Sequence, residues 1–376
     1  MYVTKSQIPT YLDYASLVPP SVAVLDRMRE IALGSWGPPG ALHSIGWRAR
    51  YALDTARQQV ATYLGTAPFN VVFTDSGRAS LALGFARALS RMSEGGTIVS
   101  SRLEHPSVQR LVEGAARAGR SVRWLALPGG AANPDDRSAL RTAGLVALSL
   151  CNHELGTSLG DALEEVPKDA QRVLDAVQAA PWIPLDAYND DRTFYAISGA
   201  KLGTPMGIGA LRVPSEIFYR ARESDQPLES ESPPWLMAVG LGAACKVRGE
   251  IRASAFAQAK EKALALARAL QEVEPKMILN GEESLRLGTI LNVSFPGVRA
   301  KSLIQMLSME GIAISHTAAC QAVREEVSPV VHAAYPKEPE RAASATRWSV
   351  SESTTDEEIA CAREVIERIL PRHRWV

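Results

Sequence analysis

The sequence has no surplus of either charge. Its 376 residues include 41 Lys plus Arg and 41 Asp plus Glu, so the formal net charge is zero. Proteins that coat nucleic acids or bind anionic membrane surfaces need excess positive charge. The composition therefore argues against direct nucleic-acid binding and against a membrane-surface protein, although it does not exclude a local basic patch.

Long apolar runs are also absent from the sequence. No run approaches the ~18 residues of a membrane span, and the N-terminal stretch MYVTKSQIPTYLDYAS lacks the apolar core of a signal peptide. Four cysteines lie far apart, without a CxxC pair: Cys151, Cys245, Cys320 and Cys361. In a chain of this length they predict reduced thiols in a cytoplasmic protein, and neither a disulfide framework nor a zinc site.

Strand-like segments alternate with helix-like segments through the first part of the chain. NVVFT precedes the helical pattern ASLALGFARALSRM, GTIVSS precedes PSVQRLVEGAARAG, and later strand-like runs are GLVALSL, FYAIS and IGALRV. Apolar strands separated by helices are typical of a mostly parallel sheet that is covered on both faces. The sequence therefore predicts an α/β fold with its ligands at the carboxyl ends of the strands.

The last third of the sequence predicts a second, smaller α+β domain. An Ala-rich helical stretch runs from about Pro233 to Val273 and is followed by the segments TILNVSF, AKSLIQMLSMEG, IAIS and TRWSVS and a closing helix. A chain of this length favours two domains. We predict a large domain over residues 12–240 and a small domain that combines residues 1–11 with 241–376.

Lys201 is the only charged residue from Ile197 to Leu211, in the segment ISGAKLGTPMGIGAL. An amine in such a tight apolar setting has a lowered pKa, acts as a nucleophile and forms a Schiff base with an aldehyde. Lys201 directly follows the strand-like run FYAIS, which places it at the ligand-binding edge of the predicted sheet. The sequence therefore favours Lys201 as the anchor of an aldehyde cofactor.

Polar clusters also follow other strand-like runs, so that they could meet in one pocket. Each cluster could also be present for structural reasons alone, as an ordinary strand-to-helix turn, a structural histidine or an Asp that caps its strand. Small residues at a helix N-terminus favour an anion, and an amine, an anion site and an acid together suit pyridoxal phosphate. The clusters are Asp75–Ser80, Glu104–His105, Asn152–Gly156 and Asp175 with Gln178.

Five motifs follow one another along the chain: YLDYAS, LHSIGWRARYALDTAR, LEHPSV, LDAVQ and SGAK. Together they resemble the class V, fold-type I pyridoxal-phosphate enzymes, and most closely the cysteine desulfurases. The resemblance extends from Tyr11 to about Ile359. It implies the fold-type I architecture, with a mostly parallel seven-stranded sheet in the large domain. It also implies pyridoxal 5'-phosphate as the cofactor, L-cysteine as the substrate and a homodimer as the assembly.

The resemblance assigns a role to each predicted cofactor residue. It implies that His105 lies over the cofactor ring, that Asp175 pairs with the pyridine nitrogen, and that Gln178 contacts the phenolic oxygen. Ser198 is implied to hold the phosphate, and Lys201 to carry the cofactor covalently and to move protons. The other cofactor-binding residues that it implies are Ser76, Gly77, Arg78, His153 and Ser232.

The segment GIAISHTAAC resembles the family's GI-x-x-SSGSAC, whose last residue receives sulfur, and this match assigns Cys320. A free cysteine is often a buried small hydrophobe. Polar neighbours such as His316 favour the reactive, partly exposed thiolate instead. TRWSVSESTTDEE resembles RFSLGRFTTEEE, which assigns Arg347 to the substrate carboxylate, with Asn152 as a second contact.

The chain departs from the family pattern at several positions. Ala200 replaces the His of SGHK and Arg78 replaces the Thr of SGATES, so a donor is lost on one side of the phosphate and a cation is gained on the other. His153 replaces the second Asn of NNExG, and an imidazole N–H can still donate a hydrogen bond. The RSGT segment reads Glu229-Ser230-Glu231-Ser232, in which only the last hydroxyl is retained.

The predicted activity is the conversion of L-cysteine to L-alanine, with the sulfur transferred to Cys320 as a persulfide and then to an unidentified acceptor protein. The first alternative is a cysteine or cystine lyase, which forms pyruvate and ammonia without a protein thiol. An epimerase or aminotransferase of the same class is a further alternative. A binding or scaffolding protein with this fold is disfavoured by the joint presence of Lys201, Asp175, Gln178 and His105.

Overall fold

Seven strands form the largest sheet of the computed structural model, which describes residues 10–217, 228–229, 233–317 and 326–372. The strands of the described residues are β1 (Thr10–Tyr11), β2 (Val71–Thr74), β3 (Ile98–Ser101), β4 (Val122–Leu125), β5 (Leu145–Ser149), β6 (Gln171–Asp175), β7 (Thr193–Ser198), β8 (Gly209–Arg212), β9 (Ile278–Asn280), β10 (Ile290–Ser294), β11 (Ile312–Ala313) and β12 (Ala345–Ser349).

The large sheet has the strand order β2-β8-β7-β6-β5-β3-β4. Its neighbouring strands are parallel except that β8 runs antiparallel to both β2 and β7. Every residue of β3 and of β5 is buried, as the continuous apolar run GLVALSL predicts for a strand that is covered on both faces. The prediction of an α/β fold with a mostly parallel seven-stranded sheet is therefore confirmed.

Helices connect the strands and cover the sheet. α3 begins after its N-cap Ser76, and α10 begins with a capping box between Thr355 and Glu358, as the sequence TTDEE predicts. The helices with described bounds are α1 (Val22–Gly34), α2 (Ser44–Leu64), α3 (Gly77–Leu89), α4 (Pro106–Arg117), α5 (Pro134–Leu140), α6 (Trp235–Val273), α7 (Ala300–Met309), α8 (Pro329–Ala334), α9 (Pro339–Ala343) and α10 (Asp356–Ile369).

The long helix α6 belongs to two hydrophobic cores. Near its start, Leu241 and Cys245 pack in the core shared with α2 and the large sheet, whereas Leu266 and Leu270 pack in the core of the C-terminal part. The predicted boundary near residue 240 falls inside this continuous helix. The division into residues 12–240 and a second domain thus remains a prediction.

A three-stranded antiparallel sheet in the order β12-β10-β9 is the centre of the C-terminal part. Trp348 of β12 is fully buried in its core. The short strand β1 pairs in parallel with β11, so the N-terminal end of the described chain lies in the C-terminal part. An isolated bridge between Ser315 and Arg347 holds the chain after β11 beside β12.

Within the described ranges, no helix is both long and apolar enough to cross a bilayer.

Candidate active site

A cavity of about 460 Å³ lies at the carboxyl ends of the parallel strands. β5 ends at Ser149, β6 at Asp175 and β7 at Ser198, and all three side chains line the cavity. The strand register places Ser149 directly beside Asp175. The other predicted site residues that line the same cavity are Ser76, Gly77, Arg78, His105, His153, Gln178, Lys201 and Arg347.

The turn between β2 and α3 forms an anion-binding end of this cavity. Ser76 is the N-cap of α3, and its Oγ accepts a hydrogen bond of 3.2 Å from the N–H of Ala79. The first N–H groups of a helix lack intrahelical partners, and the helix dipole favours an anion beside them. Gly209 of β8 lies against this turn, where a Cβ would be only 2.6 Å from the nitrogen of Gly77. Glycine at position 209 therefore permits the strand and the turn to approach this closely.

Three more residues that the sequence associates with the phosphate line the same cavity. Arg78 is exposed and lines the cavity, together with Ser198 at the end of β7. Ala200 lines the cavity as well. Arg78 and Ala200, the two positions at which the chain departs from the family's phosphate contacts, thus both line this cavity.

Lys201 ends the 3-10 turn Gly199–Lys201 that directly follows β7. Its side chain lines the cavity, and its Nζ donates a hydrogen bond to the carbonyl oxygen of Ser16. The carbonyl orients the amine without providing a counter-charge. The amine is thereby held inside the cavity, where it can react with a carbonyl group bound there.

Two buried acidic residues belong to this region: Asp175 lines the cavity, and Glu104 accepts a hydrogen bond from Ser149, which also lines it. Burial raises the pKa of Asp175, and a hydrogen bond from the N–H of Val177 at 3.0 Å partly opposes this effect. Burial also raises the pKa of Glu104 to about 8, against the hydrogen bond that the Ser149 hydroxyl donates to its carboxylate. Glu104 therefore keeps its proton at neutral pH.

His105 is the N-cap of α4 and lines the cavity. Its Nδ1 accepts a hydrogen bond of 3.2 Å from the N–H of Ser107 and lies 2.6 Å from the hydroxyl of the same residue. Burial, together with the neighbouring His153, lowers the pKa of His105 to about 2. The imidazole is consequently neutral, and it can present a flat face to a ring in the cavity.

His153 and Glu154 follow β5 and lie between the cavity and the C-terminal part. His153 lines the cavity, and its ring packs edge-on against His105 at a centroid distance of 5.0 Å. Its Nε2 lies 3.6 Å from Oε1 of Glu154. Glu154 is fully buried and accepts hydrogen bonds of 2.5 Å from the hydroxyls of Thr317 and Ser328.

Arg347 lies on the wall that the C-terminal part contributes. Its side chain is only 2% exposed and donates to Asp13 Oδ1 at 3.1 Å, to Ser16 Oγ at 2.7 Å, and to the His153 carbonyl at 2.8 Å. It also donates to Ser315 Oγ at 3.1 Å. The fork of the guanidinium is thereby fixed in one orientation at the cavity, as recognition of a carboxylate requires.

Of the two predicted site residues Gln178 and Asn152, only Gln178 lines the cavity. Gln178 lines the cavity, and its Nε2 donates to the carbonyl of Ala15 at 2.8 Å. Asn152 does not line the cavity: its Nδ2 donates to the Leu103 carbonyl, and its Oδ1 accepts from the N–H groups of Glu154 and Leu155. These bonds hold the Asn152 amide inside the turn, so the structure does not bring it to the position predicted for a substrate contact.

Several functional assignments lie beyond the described residues. Cys320, the predicted sulfur acceptor, and Ser232, the predicted hydroxyl from the neighbouring subunit, are both outside them. In contrast, the structure adds cavity residues that sequence reasoning missed, among them Ser16 and Cys151. The motif YLDYAS ends in Ser16, and the run NHELG contains Glu154, but neither motif indicates a distant partner.

The described residues fit pyridoxal 5'-phosphate, the cofactor that the resemblance implies. A helix N-terminus with Ser76 and Arg78 suits a phosphate, a buried Asp175 suits a pyridine nitrogen, and Lys201 suits an aldehyde carbon. His153 lines the cavity, and both of its ring nitrogens are buried without a hydrogen-bond partner in the part of the chain that the structure describes. A polar ligand atom in the cavity would satisfy this otherwise costly group.

Comparison with known proteins agrees with the geometry of the site. The family model described as Aminotransferase class-V matches residues 10–361. The cysteine desulfurase IscS of Shewanella baltica (strain OS223) is 31% identical over 386 residues, which cover 98% of this chain and 94% of that protein. The cysteine desulfurase IscS of Cronobacter sakazakii is 29% identical, with the same shares of the two chains covered.

A solved structure described as a NifS-like protein shares the fold. It superposes with a TM-score of 0.83 over 97% of this chain and 100% of its own, at 22% sequence identity. This agreement covers both the large sheet and the C-terminal part.

Proposed function

This chain belongs to the aminotransferase class-V family, whose members depend on pyridoxal phosphate, and we propose that it acts as a cysteine desulfurase. Its substrate would be L-cysteine and its products L-alanine and a persulfide on Cys320. The observation that carries the proposal is the meeting of Lys201, Asp175, His105 and the turn at Ser76 in one cavity. The relatives named cysteine desulfurase support the choice of substrate.

The cofactor, when bound, withdraws electrons from the amino acid, which acidifies the Cα–H bond and makes cleavage of the Cβ–S bond feasible. The protein must then hold the cofactor, orient the substrate and move protons. Asp175 provides a buried carboxylate for the pyridine nitrogen, and the neutral ring of His105 provides a flat packing surface. The Lys201 amine lies in the same cavity and can take and return the Cα proton.

Arg347 is the proposed contact for the substrate carboxylate. Its five N–H groups exceed the four hydrogen bonds that Asp13, Ser16, Ser315 and the His153 carbonyl accept. The remaining N–H can therefore bind a ligand without loss of those contacts. Because the guanidinium is almost completely buried, its interaction with a carboxylate is screened little by water.

Cys320 is the proposed sulfur acceptor. Described residues on both sides of it along the chain support this role, since Thr317 precedes it and Ser328 follows it, and both donate to Glu154. Glu154 adjoins His153, which lines the cavity. The segment that carries the thiol is thereby attached at both sides close to the proposed reaction site.

A cytoplasmic homodimer and an acceptor protein complete the proposal. Apolar side chains that are exposed in the single chain support association, since large exposed apolar patches mark protein contacts. They lie near the start of α2 and in the segment before it: Trp36, Leu42, Trp47 and Tyr51. The charge balance of the chain gives no reason to expect direct contact with a nucleic acid. Sedimentation of the purified protein would measure the assembly directly.

Product analysis tests the proposed activity. The purified protein with cofactor is incubated with L-cysteine and a reductant, beside the Cys320→Ala variant. A desulfurase gives sulfide and L-alanine in equal amounts, and the variant loses both products. Pyruvate and ammonia that persist in the variant would instead establish the lyase alternative and contradict the desulfurase.

A further inference from the structure

Ser16 contacts two of the residues on which the proposed reaction depends. Its Oγ accepts a hydrogen bond of 2.7 Å from Nη2 of Arg347, and its carbonyl oxygen accepts one from Nζ of Lys201. Ser16 also lines the cavity. In an α-amino acid the carboxylate is bonded directly to Cα. A group that adjoins both the guanidinium and the amine therefore lies where the substrate carboxylate is expected.

The hydroxyl proton of Ser16 is available to a ligand. A guanidinium only donates hydrogen bonds, so Oγ of Ser16 can only accept from Arg347, and its own proton is left for another partner. In the part of the chain that the structure describes, no protein group accepts this proton. Because Ser16 lines the cavity, a ligand that occupies the cavity can accept it.

The backbone around Ser16 is fixed at three points. The N–H of Ala15 donates to Oγ of Ser349 at 2.8 Å, and the Ala15 carbonyl accepts from Nε2 of Gln178 at 2.8 Å. The N–H of Ser16 donates to the Asp13 carbonyl at 2.9 Å. The hydroxyl is therefore held at the cavity before a ligand arrives, which lowers the entropy cost of binding to it.

The remaining N–H of Arg347 belongs to Nη1. Nε donates to Ser315, and the two N–H groups of Nη2 donate to Asp13 and Ser16. Nη1 donates one N–H to the His153 carbonyl and keeps the other. A carboxylate has two oxygens, and a single N–H binds only one of them. Two-point recognition of a carboxylate at this position therefore requires a second donor.

Asn152, the second carboxylate contact that the resemblance implies, does not supply this donor. Its Nδ2 donates to the Leu103 carbonyl at 2.7 Å, and its side chain does not line the cavity. Ser16 lines the cavity and is bonded to the same guanidinium that offers the first donor. The hydroxyl of Ser16 thus stands where the amide of Asn152 was expected to act.

We propose that the Ser16 hydroxyl donates a hydrogen bond to one oxygen of the substrate carboxylate, while the remaining N–H of Arg347 binds the other oxygen. This inference deepens the proposed function and rests on an α-amino acid as the substrate. It makes Ser16 a substrate-binding residue, which favours compounds that carry a carboxylate on the same carbon as the amine.

Binding of two small molecules tests this role without turnover. L-Alanine, the product of the proposed reaction, has an amine and a carboxylate, whereas ethylamine lacks the carboxylate. The absorbance of the bound cofactor is followed while the cofactor-loaded protein is titrated with each compound. In Ser16→Ala we expect the dissociation constant of L-alanine to rise about tenfold or more, as for loss of a hydrogen bond to a charged group. The constant of ethylamine should change less than about twofold, because ethylamine has no group for the hydroxyl to bind.

Ser315→Ala is the matched control. Oγ of Ser315 also accepts from Arg347, at 3.1 Å, but it donates its own proton to Asp13 at 2.9 Å, and Ser315 does not line the cavity. This variant therefore measures how far a less firmly held guanidinium lowers the affinity for L-alanine, and we expect a smaller loss than in Ser16→Ala. Equal losses in the two variants would overturn the role of Ser16, as would an equal loss for L-alanine and ethylamine in Ser16→Ala.

Failure of the proposed function gives a different result from failure of this inference. A wild-type protein that binds L-alanine no more tightly than ethylamine would contradict an amino-acid substrate, and the role of Ser16 with it. A wild-type preference for L-alanine that Ser16→Ala retains in full would contradict the role of Ser16 alone.

Discussion

Arg347 and Asp13, which are 334 positions apart in the sequence, form an ion pair of 3.1 Å between a buried guanidinium and a half-buried carboxylate at the wall of the cavity. The pair joins the N-terminal segment to β12, at one end of the three-stranded C-terminal sheet. It also supplies the counter-charge for the guanidinium that we propose to bind substrate. The same contact therefore bears on stability and on substrate recognition.

Asp13→Asn should destabilise the protein more than removal of a neutral partner of the same guanidinium. Loss of the carboxylate leaves the buried Arg347 charge uncompensated, for which we expect a loss of about 3 kcal/mol in the free energy of unfolding. Ser16→Ala removes a hydrogen bond to Arg347 but no charge, and should cost about 1 kcal/mol. Urea denaturation of both variants measures the difference, and equal losses would contradict a charge-based account of this contact.

Lys201→Arg should abolish the covalent attachment of the cofactor. Arginine keeps the positive charge but does not react with the aldehyde, because its guanidinium stays protonated. After borohydride reduction, the wild-type peptide that contains residue 201 should carry the cofactor mass, and the variant peptide should not. The exposed Lys246→Arg provides the matched control. Cofactor mass that persists in Lys201→Arg would assign the attachment to another lysine.

Gly209→Ala should weaken cofactor binding. The added Cβ would lie 2.6 Å from the nitrogen of Gly77, so the turn at the anion-binding end must move. We expect the dissociation constant of the cofactor to rise at least tenfold, which corresponds to about 1.4 kcal/mol. In Gly114→Ala, where the nearest atom is 4.0 Å away, the constant should not change. Absorbance titration with pyridoxal phosphate compares the two variants, and the same constant in both would refute the role of Gly209.

Glu104→Gln should alter the pH dependence of stability. Native Glu104 keeps its proton up to about pH 8, whereas the unfolded chain releases it near pH 4.5, so the native state binds more protons in that window. The contribution of Glu104 to the free energy of unfolding therefore falls as the pH rises from 4.5 to 8. The glutamine side chain of the variant has no proton to release, so it does not lower the free energy of unfolding as the pH rises. Its stability relative to wild type should increase across the window by an amount on the order of 3–5 kcal/mol.

Urea denaturation at pH 5 and at pH 8 measures this relative stability. A difference between Glu104→Gln and wild type that is the same at both pH values would show that the native carboxyl is already ionised at pH 5.

The sequence predicts that side chains at the ends of neighbouring parallel strands lie close together, because such strands end at the same edge of a sheet. Asp175 and Lys201 follow continuous apolar runs, and the parallel strands β6 and β7 carry them to one edge. The α/β fold followed from the same alternation. The sequence did not predict β9 or the short helix α5, which are too short to give a clear periodic pattern.

Side-chain partners from distant segments could not be predicted in this way. Asn152 follows β5 like its neighbours, but local hydrogen bonds to Leu103 and Glu154 turn its amide away from the cavity. Glu154 accepts hydrogen bonds from Thr317 and Ser328, which are more than 160 positions away along the chain. The sequence therefore did not predict its partners. Such contacts depend on the packing of the C-terminal part against the large sheet, which no local pattern encodes.

The most direct test of the account is to locate the sulfur after a single turnover. The protein is treated with stoichiometric L-cysteine in the absence of a reductant, alkylated, digested and analysed by mass spectrometry. The account predicts one additional sulfur atom on the peptide that contains Cys320, with an equal amount of L-alanine released. No added sulfur on that peptide, with pyruvate and free sulfide in solution, would contradict it.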